Sequence, residues 1–135
     1  SKNPNAIDLL KKNQDKINWY WLSRNPNAIK LLEKNQNKID WHNLSANPNA
    51  IKLLEKRIEY ERSLTGAQLD QLKNKIDWGW LSSNPNAIEL LTNNQDKINW
   101  ENLSVNPNAI NLLKENQDKI NWKYLFENPA IFKAV

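Results

Sequence analysis

The chain has 135 residues and a formal net charge of +4 at pH 7, a mild basic excess that does not call for an anionic partner. It has no cysteine, which excludes disulfides and thiolate chemistry and fits a reducing interior. Gly66 and Gly79 are the only glycines, which excludes a glycine-rich phosphate loop, and no apolar run is long enough for a membrane span.

Asn-Pro opens a unit at Asn3, Asn25, Asn47, Asn84, Asn106 and Asn128, in steps of 22, 22, 37, 22 and 22 residues. Self-similarity at a fixed short period is the signature of a stacked repeat array. The units run 3–24, 25–46, 47–83, 84–105 and 106–127, within one domain covering 1–135. Residues 128–135 drop one Asn and bring in Phe132, as a terminal cap would. No signal-peptide pattern precedes the first unit.

One unit predicts two helices. Asn25 is an N-cap candidate, with Pro26 at the first helical position, where its missing N–H costs nothing. Ala28, Ile29, Leu31 and Leu32 then supply an apolar face. Asn35 is a stop signal, because Asn tolerates the left-handed conformation that ends many helices. A shorter helix follows, with Asp40 as cap and 41–45 as body. Ile39 and Leu44 are spaced as a hydrophobic staple. The same spacing recurs with Ile17, Trp19 and Leu22, and with Ile76, Trp78 and Leu81. It recurs again with Ile98, Trp100 and Leu103, and with Ile120, Trp122 and Leu125. One such pair cannot bury its apolar face alone, whereas stacked pairs can. The predicted fold is therefore all-α, an α-solenoid of short helix–turn–helix repeats in a right-handed stack.

Unit 47–83 carries an insertion, residues 57–73, where a standard unit has two residues. Ile51, Leu54 and Ile58 continue an apolar stripe, so the first helix is predicted to run to about Leu64. Gly66 reads as a turn residue. Thr65 with Gln68 matches a capping box for a second helix carrying Ala67, Leu69, Leu72 and Ile76. The result is a longer helical hairpin, either packed on its neighbours or protruding to bind a partner or a second copy.

No enzyme constellation is present. His42 is the only histidine and falls at a position that varies between units (Tyr20, His42, Gly79, Glu101, Lys123). No Cys/His/Asp cluster has metal-ligand spacing, and neither a cofactor nor a metal is expected. Positions that repeat should hold the fold, and positions that vary should face solvent or a partner. Two residues after the repeating Trp the chain places Trp21, Asn43, Trp80, Asn102 and Tyr124. With Tyr20 this suggests an aromatic ridge, since Trp and Tyr are favoured at binding hot spots. The competing reading packs these rings between short helices. The asparagines at the first and third positions of each unit are expected to form ladders between neighbouring units. One lysine per unit (Lys16, Lys38, Lys75, Lys97, Lys119) could form a basic stripe along phosphates. Asp15, Asp96 and Asp118 lie beside it and favour a solvated structural row.

The string NPNAI–LL–N–DKI–W–LS, clearest at 84–104 and 106–125, resembles short tandem helical repeats encoded in large numbers by giant DNA viruses. The resemblance covers nearly the whole chain. It implies an intracellular, non-enzymatic repeat protein. Gln14, Gln36, Gln95 and Gln117 depart from the Pro usual in such repeats, and residues 57–73 are no part of a standard unit. The sequence thus points to a scaffold for protein–protein interaction, with Tyr20, Trp21, His42, Tyr60, Trp80 and Tyr124 as contact residues. Self-association through the 57–73 hairpin is a further expectation. An engineered consensus array without a natural ligand, and nucleic-acid binding through the lysines, are the alternatives.

Overall fold

An asparagine followed by proline closes a turn here before any helix begins. The computed structural model describes Leu9 and residues 12–132, so the Asn3-Pro4 start of the first unit and residues 133–135 of the cap lie outside the described residues. The Asn25 side-chain oxygen accepts from the Asn27 N–H at 2.9 Å, and its carbonyl accepts from the Ala28 N–H at 3.1 Å. Asn47, Asn84 and Asn106 repeat both bonds. The helix proper starts at Ile29, with Ala28 at φ −98° and ψ 7° before it. The expected cap at Asn25 with Pro26 as first helical residue is therefore corrected. The Asn oxygen is used two residues on, in an Asx turn, and not on the first helical turn.

The first helix of the unit ends at Asn35 as expected, but not through a left-handed residue. No described non-glycine residue has positive φ, and Asn35 sits at φ −133°, ψ 47°. Its side-chain amide instead donates back to the Leu31 carbonyl at 2.9 Å, satisfying an orphan acceptor of the last turn. Asn94 and Asn116 do the same to Leu90 and Leu112. A 3₁₀ turn follows in each case: Gln36–Lys38, Gln95–Lys97 and Gln117–Lys119. The second helix then starts as the sequence predicts. Asn18, Asp40, Asn99 and Asn121 each accept from the backbone N–H three residues on.

The α-helices, in order, are α1 (Trp19–Arg24), α2 (Ile29–Lys34), α3 (Trp41–Leu44), α4 (Ile51–Ser63) and α5 (Gly66–Gln71). They continue with α6 (Trp78–Ser83), α7 (Ile88–Thr92), α8 (Trp100–Ser104), α9 (Ile110–Lys114) and α10 (Trp122–Leu125). There is no strand among the described residues, and the protein is an all-α helical-repeat chain. No described helix is long and apolar enough to cross a membrane. The contacts divide the chain into two compact bodies, one up to Asp77 and the other from Trp78.

In the first body α1 packs on α3, around buried Leu22, Leu32, Ile39 and Leu44. The second unit is bonded to the third through an asparagine ladder of the expected kind. The Asn47 amide, fully buried, donates to Ser23 O and Asn25 O, both at 3.0 Å. Asn49 adds a bond to Pro26 O at 2.9 Å. A serine supplies a second link between units. Ser23 Oγ donates to Trp19 O at 2.8 Å and accepts the Asp40 N–H at 3.0 Å. Ser45 does the same between Trp41 O and the Asp77 N–H.

The insertion belongs to this body. Its first helix, α4, ends at Ser63, close to the expected Leu64. Thr65 and Gln68 form the capping box, with bonds of 3.1 and 2.9 Å. Gly66 is the first residue of α5 and no turn residue, since the cap at Thr65 already turns the chain. The helix stops at Gln71, so Leu72 and Ile76 lie past its end, contrary to the expected span. Ile76 is buried separately, its N–H held by Glu61 at 3.0 Å. The base of the hairpin is packed through Ile58 and Glu61, whereas α5 buries no residue.

The second body repeats the scheme. Helix α6 packs on α8, and α8 on α10. Asn106 donates to Ser82 O and Asn84 O at 2.9 and 3.1 Å, and Asn128 to Ser104 O and Asn106 O at 3.0 and 2.9 Å. Ser82 and Ser104 accept the N–H groups of Asn99 and Asn121. After α10 a 3₁₀ turn covers Pro129–Phe132.

Candidate functional site

The six residues read from the sequence as contact positions lie in both bodies. In the first, Tyr20 and Trp21 are exposed on α1, their rings edge-to-face with centroids 4.9 Å apart. His42 is exposed on α3, and its Nδ1 lies 2.8 Å from Asp77 Oδ2. Tyr60 is exposed on α4. In the second body Trp80 is exposed on α6, and Tyr124 is half-buried on α10.

The structure brings Tyr20 and Trp21 together but makes no unbroken aromatic ridge in either body. Asn43 holds the corresponding place after Trp21 and is buried. Between Trp80 and Tyr124 stands Asn102, half-buried, whose amide donates to Gly79 O at 3.0 Å. Asn102 thereby ties its short helix to the previous one, whereas Trp21 and Trp80 at the same place are exposed. The Asn43 amide is buried without a hydrogen-bond partner.

A cluster around Arg57 was not singled out from the sequence. Its guanidinium carbon lies 4.8 Å from the centre of the Trp41 ring and 4.7 Å from that of Tyr60. Its Nε donates to Glu61 at 2.9 Å and its terminal nitrogen to Asn74 O at 2.8 Å. Asn74 in turn accepts the Trp41 N–H and donates to Ile39 O, both at 2.8 Å. Tyr60 is thus one side of a stacked cation. The available signal was positional: Arg57 is the first inserted residue, four before Glu61 on a helix.

The lysine row is partly occupied. Lys38 lies over the Trp19 ring at 5.4 Å and Lys119 over Trp100 at 5.0 Å, each reaching the indole of the previous unit. Lys75 donates to Leu69 O at 3.2 Å, holding the return of the hairpin. An open groove of about 660 Å³ runs beside α4, lined by Glu33, Gln36, Lys52, Lys56 and Glu59, with Leu53 at its floor. With Glu55 its lining carries three carboxylates against two lysines. No group of three or more His, Cys, Asp or Glu among the described residues could hold a metal. No family model, no curated protein and no solved structure matches this chain.

Proposed function

We propose that the protein is a non-enzymatic α-solenoid scaffold that binds a protein partner through the variable positions of its repeats. The reading rests chiefly on one observation. The first asparagine of each described unit and the paired leucines that follow it are buried, while Tyr20, Trp21, Tyr60 and Trp80, at varying or inserted positions, are large and exposed. Rigid aromatic side chains on a bonded framework provide contact area at low entropic cost. His42 and Tyr124 complete the contact set. The resemblance to the repeats of giant DNA viruses supports reading the scaffold as an intracellular one. Lysines engaged with indoles favour a protein over a nucleic acid as the partner.

The test is affinity capture with the native chain and with Trp21→Ala and Trp80→Ala chains in parallel. A bound protein lost from both variants supports the reading. Binding that survives both but collapses as salt rises would transfer the function to the lysine row.

A second reading is favoured by α5, which buries no residue and carries Leu69 only half-covered. Here the hairpin joins two copies of the chain. Light scattering on the native chain and on one lacking residues 57–71 separates the two. A native dimer that becomes a monomer on excision supports assembly through the hairpin.

A further inference from the structure

Helix α4 carries four exposed charges, Lys52, Glu55, Lys56 and Glu59. Their spacing, three and four residues apart, puts them on a single helical face. That face lines the open groove of about 660 Å³ whose other wall is Glu33 and Gln36, from α2 and the turn after it. None of the four makes an ion pair within 4.0 Å among the described residues. On another side of the same helix, by contrast, Arg57 and Glu61 are paired at 2.9 Å.

The order of these charges is unfavourable within one chain. Lys52 and Lys56 are like charges four residues apart, and so are Glu55 and Glu59, which sets two repulsive pairs on one helix. The same order is complementary to its own reverse. Read from the other end, Lys-x-x-Glu-Lys-x-x-Glu becomes Glu-x-x-Lys-Glu-x-x-Lys, with the opposite sign at every place. No other described unit has it. Unit 25–46 carries Lys30, Glu33 and Lys34, but its helix ends at Lys34, and Asn37 stands at the fourth place. The corresponding places in the second body begin with Glu89, Thr92 and Asn93, and with Asn111, Lys114 and Glu115. In unit 47–83 the fourth charge, Glu59, belongs to the insertion, which also carries the helix past Lys56.

We infer that this face of α4 joins the chain to a second copy of itself, the two helices antiparallel about a two-fold axis between Glu55 and Lys56. Lys52 then faces Glu59 and Glu55 faces Lys56 across the axis, and each pair occurs twice, as an isologous contact requires. Glu33, on the far wall of the groove, adds a carboxylate beside the incoming lysines. The inference rests on the second reading above, in which the chain assembles at its insertion, but it moves the contact from α5 to the charged face of α4. Pairs between exposed side chains along a single helix make a weak contact that salt screens. Their complementarity fixes partner and register more than it adds affinity.

The experiment is sedimentation velocity on the full chain at low and high ionic strength. A dimer at low salt is expected, with a dissociation constant that rises at least about tenfold at high salt. Two variants then separate the charges. Lys52→Glu with Lys56→Glu makes the face wholly acidic, and Glu55→Lys with Glu59→Lys makes it wholly basic. Each alone is expected to be monomeric, and an equimolar mixture of the two to form a heterodimer. Reversing all four charges restores the complementary order and with it the dimer, which decides the matter where a two-charge variant fails to fold. A mixture of folded variants that stays monomeric, or a four-charge variant that does, overturns the inference. So does a dimer that persists in both two-charge variants, an outcome that leaves assembly through α5 standing. A native chain that is monomeric at low salt overturns this inference and the hairpin reading together.

Discussion

The Arg57 guanidinium stacks on the Trp41 indole, its central carbon 4.8 Å from the ring centre. The first inserted residue thereby covers the repeating tryptophan of the preceding unit, and Trp41 is buried to 7% exposure. Trp41→Ala is expected to cost about 3–5 kcal/mol, read from urea melts. A loss under about 1 kcal/mol would mean that Trp41 contributes no core contact. Arg57→Ala strands the nearly buried Glu61 carboxylate and is expected to cost about 3 kcal/mol. Glu61→Gln, which keeps an acceptor for the Ile76 N–H, should cost clearly less than Glu61→Ala.

The two asparagines of a unit should not be equivalent. Asn106 is buried, accepts from Asn108 N–H and donates to Ser82 O and Asn84 O, so Asn106→Ala removes three hydrogen bonds at a buried position, two of them to earlier units. A loss of about 2–3 kcal/mol is expected. Asn108 is exposed and makes one side-chain bond, to Pro85 O, so Asn108→Ala should cost about 1 kcal/mol or less. Thermal melts of the two variants side by side decide this, and equal losses would refute the ladder as the main link.

Gly66 opens α5 with nothing within 4 Å of where a Cβ would sit, and no described glycine has positive φ. Gly66→Ala is therefore expected to stabilise the chain by about 0.4–1 kcal/mol, mainly by restricting the unfolded state. A destabilised variant would show that the start of α5 is tighter than this geometry allows.

Excising residues 57–71 joins Lys56 to Leu72 and restores the 22-residue step. The remaining chain should keep a cooperative helical melt, because Asn74 still bonds to Ile39 and Trp41. Its midpoint should fall, because Trp41 loses its stacked arginine. Circular dichroism showing no folded baseline would mean that the hairpin is integral to the first body.

The sequence alone determined the second helices, their caps at Asn18, Asp40, Asn99 and Asn121, the capping box at Thr65 and Gln68, and the apolar face at Ala28, Leu31 and Leu32. Each is a local relation spanning a few residues, which spacing reports directly. Tertiary structure decided the rest. The repeat predicts an asparagine ladder, but the carbonyls that the first asparagine reaches, 22 and 24 residues away, are brought to it only when the units pack. The serine link acts across 17 residues and is silent in the spacing of one unit. Trp41 and Trp122 hold the same place in the repeat, yet one is buried and the other exposed. Identical residues in identical local structure differ because burial depends on what the neighbouring elements cover.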